Sequence, residues 1–155
     1  MFRVRRFVFT GPELARLSGL TYAAVNLFAT SGLLSPSVRS AAGSGAHRRY
    51  SFADLVAATI VMRLRRAKCS NESLRAVIRY VQSMGASELF DGGAAGVILL
   101  LSGRGKILSE RSDDLGAILR AQREGVARVV VLDVVVADVK AKVMALRERA
   151  APVDE

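Results

Sequence analysis

The residues with the clearest capacity for chemistry are cationic, and they are concentrated in the first half of the chain. Residues 1–85 contain 13 lysines and arginines against three acidic residues, whereas residues 86–155 contain 10 against 11. The formal net charge of +9 and the sequence pI near 10.8 therefore come from one half of the protein. This asymmetry favours a polyanion as the ligand of that half, although a basic face is also often only solvated.

Groups that support catalysis or metal binding are scarce in the sequence. Cys69 and His47 are the only cysteine and histidine, which excludes an intramolecular disulfide and is too few for a metal site of the usual kind. Gly103-Arg104-Gly105-Lys106 resembles part of a phosphate-binding loop, but no Ser or Thr follows the lysine. A hairpin turn explains these four residues better. We therefore expect no enzyme, no catalytic residue, no metal and no cofactor.

Capping residues predict two short helices near the N-terminus. Thr10, with Glu13 three residues later, forms a capping box at the start of a helix that ends at Gly19. Thr21 begins a second helix, which Gly32 closes. Two short helices joined by a tight turn with a glycine are typical of a helix-turn-helix, although helical hairpins that bind nothing share this spacing.

The next segment predicts a β-wing and two further helices. Residues 37–46 are rich in Gly, Ser and Ala and are flanked by cations, which indicates either a wing with a cationic base or a solvated linker. A third helix begins at Ser51 and ends in a cluster of arginines. A fourth helix begins at Ser70 or Asn71 and ends at Gly85, with apolar residues on one face.

The composition changes after Gly85. Residues 86–96 are rich in glycine and predict a linker, and residues 97–155 predict a small α+β domain of order ββαβα. No apolar run is long enough to span a bilayer, and the N-terminus lacks the continuous apolar stretch of a secretory signal, so we expect a cytoplasmic protein associated with the nucleoid. The predicted elements of the second half are a hairpin from 97–101 and 106–108, a helix over 113–123, a strand over 128–136 and a last helix from Ala137 or Asp138 to about Arg149.

The first 80 or so residues resemble the MerR family of winged helix-turn-helix regulators. The resemblance implies a mainly α N-terminal winged helix-turn-helix over residues 1–85, with four helices and a small β-wing, followed by the α+β domain. It covers about half of the chain, and it depends on the joint pattern rather than on one motif. The matching segments are Thr10-x-x-Glu13-Leu14-Ala15-Arg16-Leu17-Ser18-Gly19-Leu20-Thr21, Gly32-Leu33-Leu34-x-Pro36, Arg48-Arg49-Tyr50-Ser51, Asp54-Leu55 and Arg63-Leu64-Arg65.

Three features depart from the family pattern. Family members usually carry an Arg-Tyr-Tyr-like run late in the second helix, where this chain has Asn26-Leu27-Phe28. The wing is longer than is typical and richer in small residues. Many family members continue into a long dimerising helix, and the sequence predicts no such helix here. Metal sensing of the usual family kind is also not expected, and the operator sequence cannot be carried over.

The helix-turn-helix reading assigns a set of DNA contacts. Thr21 caps the second helix while the backbone N–H groups there approach a phosphate. Asn26 is either a base contact, since an Asn amide can bind adenine at two atoms, or only an exposed polar residue. Tyr22 contacts a phosphate or a thymine methyl, or covers the core. The complete predicted set is Arg16, Thr21, Tyr22, Ala23, Asn26, Arg39, His47, Arg48, Arg49 and Tyr50.

Cations of the wing form the second part of this surface. Arg39, His47, Arg48 and Arg49 are expected to hold phosphates or to enter the minor groove. Tyr50 is expected to pack under the wing and to offer its hydroxyl to a phosphate. A second tier of arginines, Arg63, Arg65 and Arg66, either contacts DNA or only balances a helix end.

The favoured function is a sequence-specific transcription regulator that binds double-stranded DNA as a homodimer. The apolar strand predicted around Val129 to Val136 needs cover on both faces, which a second subunit, a protein partner or helices of the same chain can provide. An antitoxin-like protein or adaptor is the alternative: its C-terminal domain binds a partner protein while the head autoregulates its operon. A DNA-architectural or excisionase-type protein is a third possibility.

Overall fold

The computed structural model describes residues 7–38, 48–102, 107–111, 123 and 126–150. Within these residues the fold is mostly helical, with one small antiparallel sheet. The helices and strands, in chain order, are α1 (Gly11–Ser18), α2 (Tyr22–Ser31), α3 (Phe52–Arg66), α4 (Asn71–Met84), α5 (Ala86–Phe90), β1 (Val97–Ser102), β2 (Ile107–Arg111), β3 (Val126–Val131) and α6 (Leu132–Ala150).

The first two helices begin and end where their capping residues predict. The Thr10 hydroxyl accepts from the backbone N–H of Glu13, and the Glu13 carboxylate accepts from the backbone N–H of Thr10, which completes the predicted capping box. Gly19, with φ of 86°, ends α1 in the left-handed region that disfavours residues with a Cβ atom. Gly32, with φ of 77°, does the same for α2. The turn between α1 and α2 is therefore set by local chemistry.

A buried carboxylate joins the next elements. Asp54 forms the predicted capping box with Ser51 at the start of α3. Its Oδ2 also accepts from the backbone N–H and the hydroxyl of Ser37, at 2.9 and 2.7 Å, and its Oδ1 accepts from Nε2 of Gln82 on α4 at 2.9 Å. Asp54, which is fully buried, thus links the segment after α2 to both α3 and α4 through hydrogen bonds.

The base of the predicted wing is held by backbone contacts. Phe9 and Tyr50 form an antiparallel bridge with reciprocal N–H to carbonyl distances of 2.8 Å. The Val38 N–H donates to the carbonyl of Arg49 at 3.3 Å. Residues 39–47, which contain most of the predicted wing, lie outside the described residues.

The sheet has the strand order β2-β1-β3, with both pairs antiparallel. Strands β1 and β2 pair with Leu101 opposite Ile107, as the predicted hairpin over 97–101 and 106–108 requires, whereas residue 106 and the turn lie outside the described residues. The predicted helix over 113–123 lies outside the described residues except for Arg123.

The predicted strand over 128–136 is wrong at its C-terminal end. The chain leaves the strand at Val131 and enters α6 at Leu132, five residues before the predicted start at Ala137. β-Branched residues favour strands locally. Here that preference is overridden by burial at helical spacing, because Leu132, Val135, Val136, Val139 and Val143 are buried. The last helix is therefore 19 residues long, although no long helix was expected.

Helices α5 and α6 pack against the basic half. The ring of Phe90 stacks on Phe7 at a centroid distance of 5.1 Å and meets Phe52 edge-on at 5.3 Å. Helix α6 contacts α3 and, less extensively, α1, and the Lys140 ammonium donates to the carbonyl of Phe90. The segment 86–96, predicted as a linker, thus contains a helix whose Leu89 and Phe90 are buried in the common hydrophobic core.

Candidate nucleic-acid interface

Helix α2 presents an outer face to solvent and an inner face to the core. Val25 and Phe28 are buried beneath it. Ala23 and Thr30 are exposed on the opposite side, and Asn26 between them is half-buried. The predicted positions for reading bases are therefore on an accessible face of the helix, at the spacing expected of one helical side.

Leu27 adds an apolar group to this outer face. Its side chain is 59% exposed. The sequence pattern does not single out Leu27, because an isolated leucine predicts burial. Its position four residues after Ala23 on the same face is the signal that identifies it. An aliphatic side chain here is suited to contact a thymine methyl group.

The N-terminus of α2 is built as predicted. The Thr21 hydroxyl accepts from the backbone N–H of Ala24 at 3.1 Å and so caps the helix. The first backbone N–H groups of a helix have no partner within it and project beyond its N-terminal end, where they favour an anion. Thr21, Tyr22 and Ala23 are all exposed there, so this end of α2 is open to a phosphate.

Tyr22 lies at the junction of the first two helices. Its side chain is 46% exposed. A methyl group added to Gly11 would come within 3.2 Å of Cε2 of the Tyr22 ring, so one edge of the ring packs against the start of α1. The ring therefore covers part of α1 and leaves the rest of its surface to solvent.

Asn26 is connected to the base of the wing. Nη1 of Arg48 donates to Oδ1 of Asn26 at 2.7 Å, across 22 residues of chain. Both side chains are half-buried. A charge-assisted hydrogen bond of this length is among the stronger kinds in proteins. The predicted base-reading residue and a predicted wing cation therefore form one unit.

Arg49 lies beside Arg48. Its Nη1 donates to the carbonyl of Arg48 at 3.1 Å, and its own carbonyl accepts from Val38. Arg16, in the last turn of α1, is exposed. Arg39 and His47 lie outside the described residues.

Tyr50 does not lie on this surface. It packs under the base of the wing as predicted, but it is fully buried, and its hydroxyl has no hydrogen-bond partner among the described residues. Burial raises the pKa of this hydroxyl, and the nearby charge of Arg48 offsets part of the rise. In this structure the hydroxyl is not placed to contact a phosphate, which is the role that the sequence predicted for it.

The second tier of arginines lies at the end of α3. The Arg65 guanidinium is 5.0 Å from the centroid of the Phe28 ring on α2, so this side chain packs against α2 at its buried phenylalanine. Arg63 forms an ion pair with Asp138 of α6 at 3.1 Å. Arg66 is exposed. Arg63 thus has a partner in the C-terminal half, whereas Arg65 lies beside α2.

Metal-binding side chains and membrane-spanning helices were the remaining features to consider. In the described part of the chain, no group of three or more His, Cys, Asp or Glu residues is arranged to hold a metal ion. None of the helices described above has the combination of length and apolar character that crossing a membrane requires.

Two short capped helices, with a left-handed glycine between them and an accessible outer face on the second, have the arrangement of a helix-turn-helix. Residues 9–81 match the model of a family described as MerR HTH family regulatory protein. This part of the chain is a MerR-type helix-turn-helix region.

Similar proteins are known from mycobacteria. HTH-type transcriptional regulators of Mycobacterium bovis and of two strains of Mycobacterium tuberculosis, each named as uncharacterized, are 36% identical to this chain over 81 residues. The match covers 52% of this chain and 36% of each relative, so it spans little more than a third of their length.

Proposed function

We propose that this protein is a sequence-specific DNA-binding transcription regulator that inserts α2 into the major groove. The observation that carries the proposal is the outer face of α2, where Asn26 is accessible and linked by a 2.7 Å hydrogen bond to Arg48 at the base of the wing. Recognition helices of this class read base edges with such side chains. This role places the protein with the DNA in the cytoplasm.

The surrounding groups supply contacts to the DNA backbone. The open N-terminus of α2 at Thr21 binds a phosphate through backbone N–H groups. Arg16 on α1 and Arg49 at the base of the wing are the cations that we assign to phosphates, together with Arg39 and His47, which lie outside the described residues. These contacts position the protein on the duplex, and Asn26 and Leu27 contribute sequence preference.

A homodimer fits this mode of binding, because two-fold dimers bind paired half-sites. Support comes from an apolar surface on β3 and the start of α6, where Val129, Val131 and Val134 are 57%, 43% and 55% exposed. These residues border a groove of about 310 Å³ whose lining includes Arg63 and Arg128. Three neighbouring exposed valines are best explained as an interface, and the second copy of this chain is the partner that we propose.

A different protein at the same valine surface is the second candidate. In that case the protein is an adaptor or antitoxin-like protein whose helix-turn-helix regulates its own operon. The two candidates differ in the mass of the purified protein: a homodimer has twice the mass of the chain, whereas an adaptor is recovered as a monomer that gains mass only with its partner.

The test of DNA reading is a salt-titrated binding assay. Duplexes from the DNA upstream of the coding sequence are compared with scrambled duplexes of the same composition. We expect wild type to prefer one upstream sequence, and Asn26→Ala to lose about tenfold of that preference while keeping its affinity for scrambled DNA. Asn71→Ala, which changes an exposed asparagine on α4, is the matched control and should behave as wild type.

The salt dependence tests the backbone contacts. Arg49→Ala should lower affinity for all duplexes alike and reduce the slope of log K against log salt by about one. Lys142→Ala, which removes an exposed cation on α6, is the control for charge and should leave the slope unchanged. Equal binding of wild type to every duplex would show that α2 does not read sequence.

A further inference from the structure

The hydrogen bond between Arg48 and Asn26 determines which part of the Asn26 amide faces outward. A guanidinium carries only N–H donors, so it can pair with the oxygen of the amide and not with its nitrogen. The 2.7 Å contact therefore assigns Oδ1 to the side of the wing and leaves the NH₂ group to the rest of the accessible surface. A rotation of the amide by half a turn would bring two donors together.

Arg48 is well placed to hold this orientation. The carbonyl of the next residue, Arg49, accepts from the backbone N–H of Val38. The following residue, Tyr50, is fully buried and bonded to Phe9 through both backbone groups. The backbone that carries Arg48 is therefore fixed on the protein core.

We infer that Arg48 is a positioning residue for base recognition: it holds Asn26 as a hydrogen-bond donor, so that Asn26 selects a base with an acceptor in the major groove and rejects cytosine. Purines offer N7, guanine also offers O6 and thymine offers O4, whereas cytosine presents only an N–H donor there. This inference rests on the proposed function and makes it specific. It differs from the sequence-based expectations that Asn26, if it contacts a base, binds adenine through both amide atoms, and that Arg48 holds a phosphate or enters the minor groove.

The experiment compares four variants on four duplexes. The base pair most sensitive to Asn26→Ala is located first, and duplexes with each of the four bases at that position are prepared. Wild type, Asn26→Ala, Arg48→Ala and the double variant are then titrated at several salt concentrations. Circular dichroism and thermal midpoints confirm that each variant is folded.

Wild type should bind the duplexes with guanine, adenine or thymine about threefold to tenfold more tightly than the duplex with cytosine, as expected for one hydrogen bond. Arg48→Ala should lose the discrimination at the same base pair as Asn26→Ala does. The double variant should lose no more than either single variant. Arg48→Lys, which keeps a donor and a charge, should recover part of the preference.

Arg49→Ala is the matched control, since it removes a neighbouring arginine of the same wing base. It should weaken all four duplexes equally and reduce the salt slope by about one. If Arg48→Ala keeps the full base preference and shows the same reduced salt slope as Arg49→Ala, then Arg48 holds a phosphate. That result would overturn the inference and leave the proposed function intact. A wild type that prefers adenine more than tenfold over guanine would also overturn it, because Oδ1 would then accept from the adenine amino group. A wild type without preference among any duplexes would overturn the proposed function itself.

A second measurement does not depend on DNA. The side-chain NH₂ resonances of Asn26 in ¹⁵N-labelled free protein report the bonding of its amide. Arg48→Ala should shift these resonances, whereas Arg49→Ala should leave them nearly in place. No shift in Arg48→Ala would contradict the positioning role.

Discussion

The guanidinium of Arg65, on α3, lies 5.0 Å from the centroid of the Phe28 ring, on α2. Phe28 is buried beneath the outer face of α2. The contact therefore links α3 to α2, which is the helix that carries Asn26. An arginine in this position contributes both packing and a cation–π interaction.

Replacement of Arg65 therefore should affect stability more than replacement of its neighbour. We expect Arg65→Ala to lower the free energy of unfolding by about 0.5–1 kcal/mol, the usual size of an exposed cation–π contact. Arg66→Ala, at an exposed position of the same helix, should change it by less than about 0.5 kcal/mol. Urea unfolding followed by circular dichroism measures both, and equal effects would show that the Phe28 contact has no energetic weight.

Asp54 should be among the most sensitive polar residues in the described part of the chain. Asp54→Ala removes the acceptor of Ser37, Ser51 and Gln82, whose donors are half-buried or, for Ser37, exposed. The expected loss is about 2 kcal/mol of unfolding free energy, since a hydrogen bond to a charged group contributes about 1.5–3 kcal/mol and water can replace the acceptor at the accessible donors. Glu72→Ala, at an exposed acid of α4, is the control. A difference of less than 0.5 kcal/mol between the two variants, a threshold set by the usual scatter of surface substitutions, would contradict the role given to Asp54.

Tyr50→Phe should stabilise the protein. It removes a buried hydroxyl that has no partner among the described residues, and we expect a gain of about 1 kcal/mol at neutral pH. Tyr22→Phe, at a residue that is 46% exposed, is the matched control and should have little effect. A loss of stability in Tyr50→Phe would indicate that the hydroxyl has a partner in solution.

The difference in stability between Tyr50→Phe and wild type depends on pH. Burial raises the pKa of Tyr50 above its ordinary value of 10.0, so the native state holds its proton more tightly than the unfolded state does. The contribution of this pKa difference to the free energy of unfolding is fully present below pH 10, and it is lost as the pH rises from there towards the pKa of the folded state. The stability advantage of Tyr50→Phe over wild type should therefore grow above pH 10, as measured by thermal unfolding at matched ionic strength. An advantage that stays constant or shrinks over that range would contradict this assignment.

The valine surface should control the oligomeric state. Val129→Lys combined with Val131→Lys places two charges where the second copy is proposed to pack, and we expect the variant to be a monomer in light scattering while its helical content is retained. Val38→Lys changes another exposed valine, 49% accessible, at the start of the wing and should leave the mass unchanged. A wild type that is already monomeric would argue against the homodimer.

The parts of the fold that were predictable from sequence depend on local chemistry. The capping boxes at Thr10 and Ser51 and the glycine at position 19 act within a few residues, so their effect can be inferred from the order of side chains alone. The end of β3 was not predictable in this way. The valines after Val131 favour a strand by themselves, and only the core beneath α6 makes them helical.

The candidate site shows the same division. The position of Asn26 on the outer face of α2 follows from helical periodicity, and so does its accessibility. Its bond to Arg48 does not, because the partner comes from a different element 22 residues away and the relevant distance is set by tertiary packing. The sequence likewise does not show that the Tyr50 hydroxyl has no hydrogen-bond partner among the described residues, since it indicates only that the ring is buried.

The direct passage from β3 into α6 has a mechanical consequence. Val131 is the last residue of the strand and Leu132 the first residue of the helix, so no connecting loop can absorb a change in the angle between the sheet and α6. Any displacement of β3 must tilt a rigid rod of about 28 Å, given a rise of 1.5 Å per residue, that rests on α3 and α1. Force applied at the sheet is therefore transmitted to the helices beside α2 rather than dissipated in a hinge.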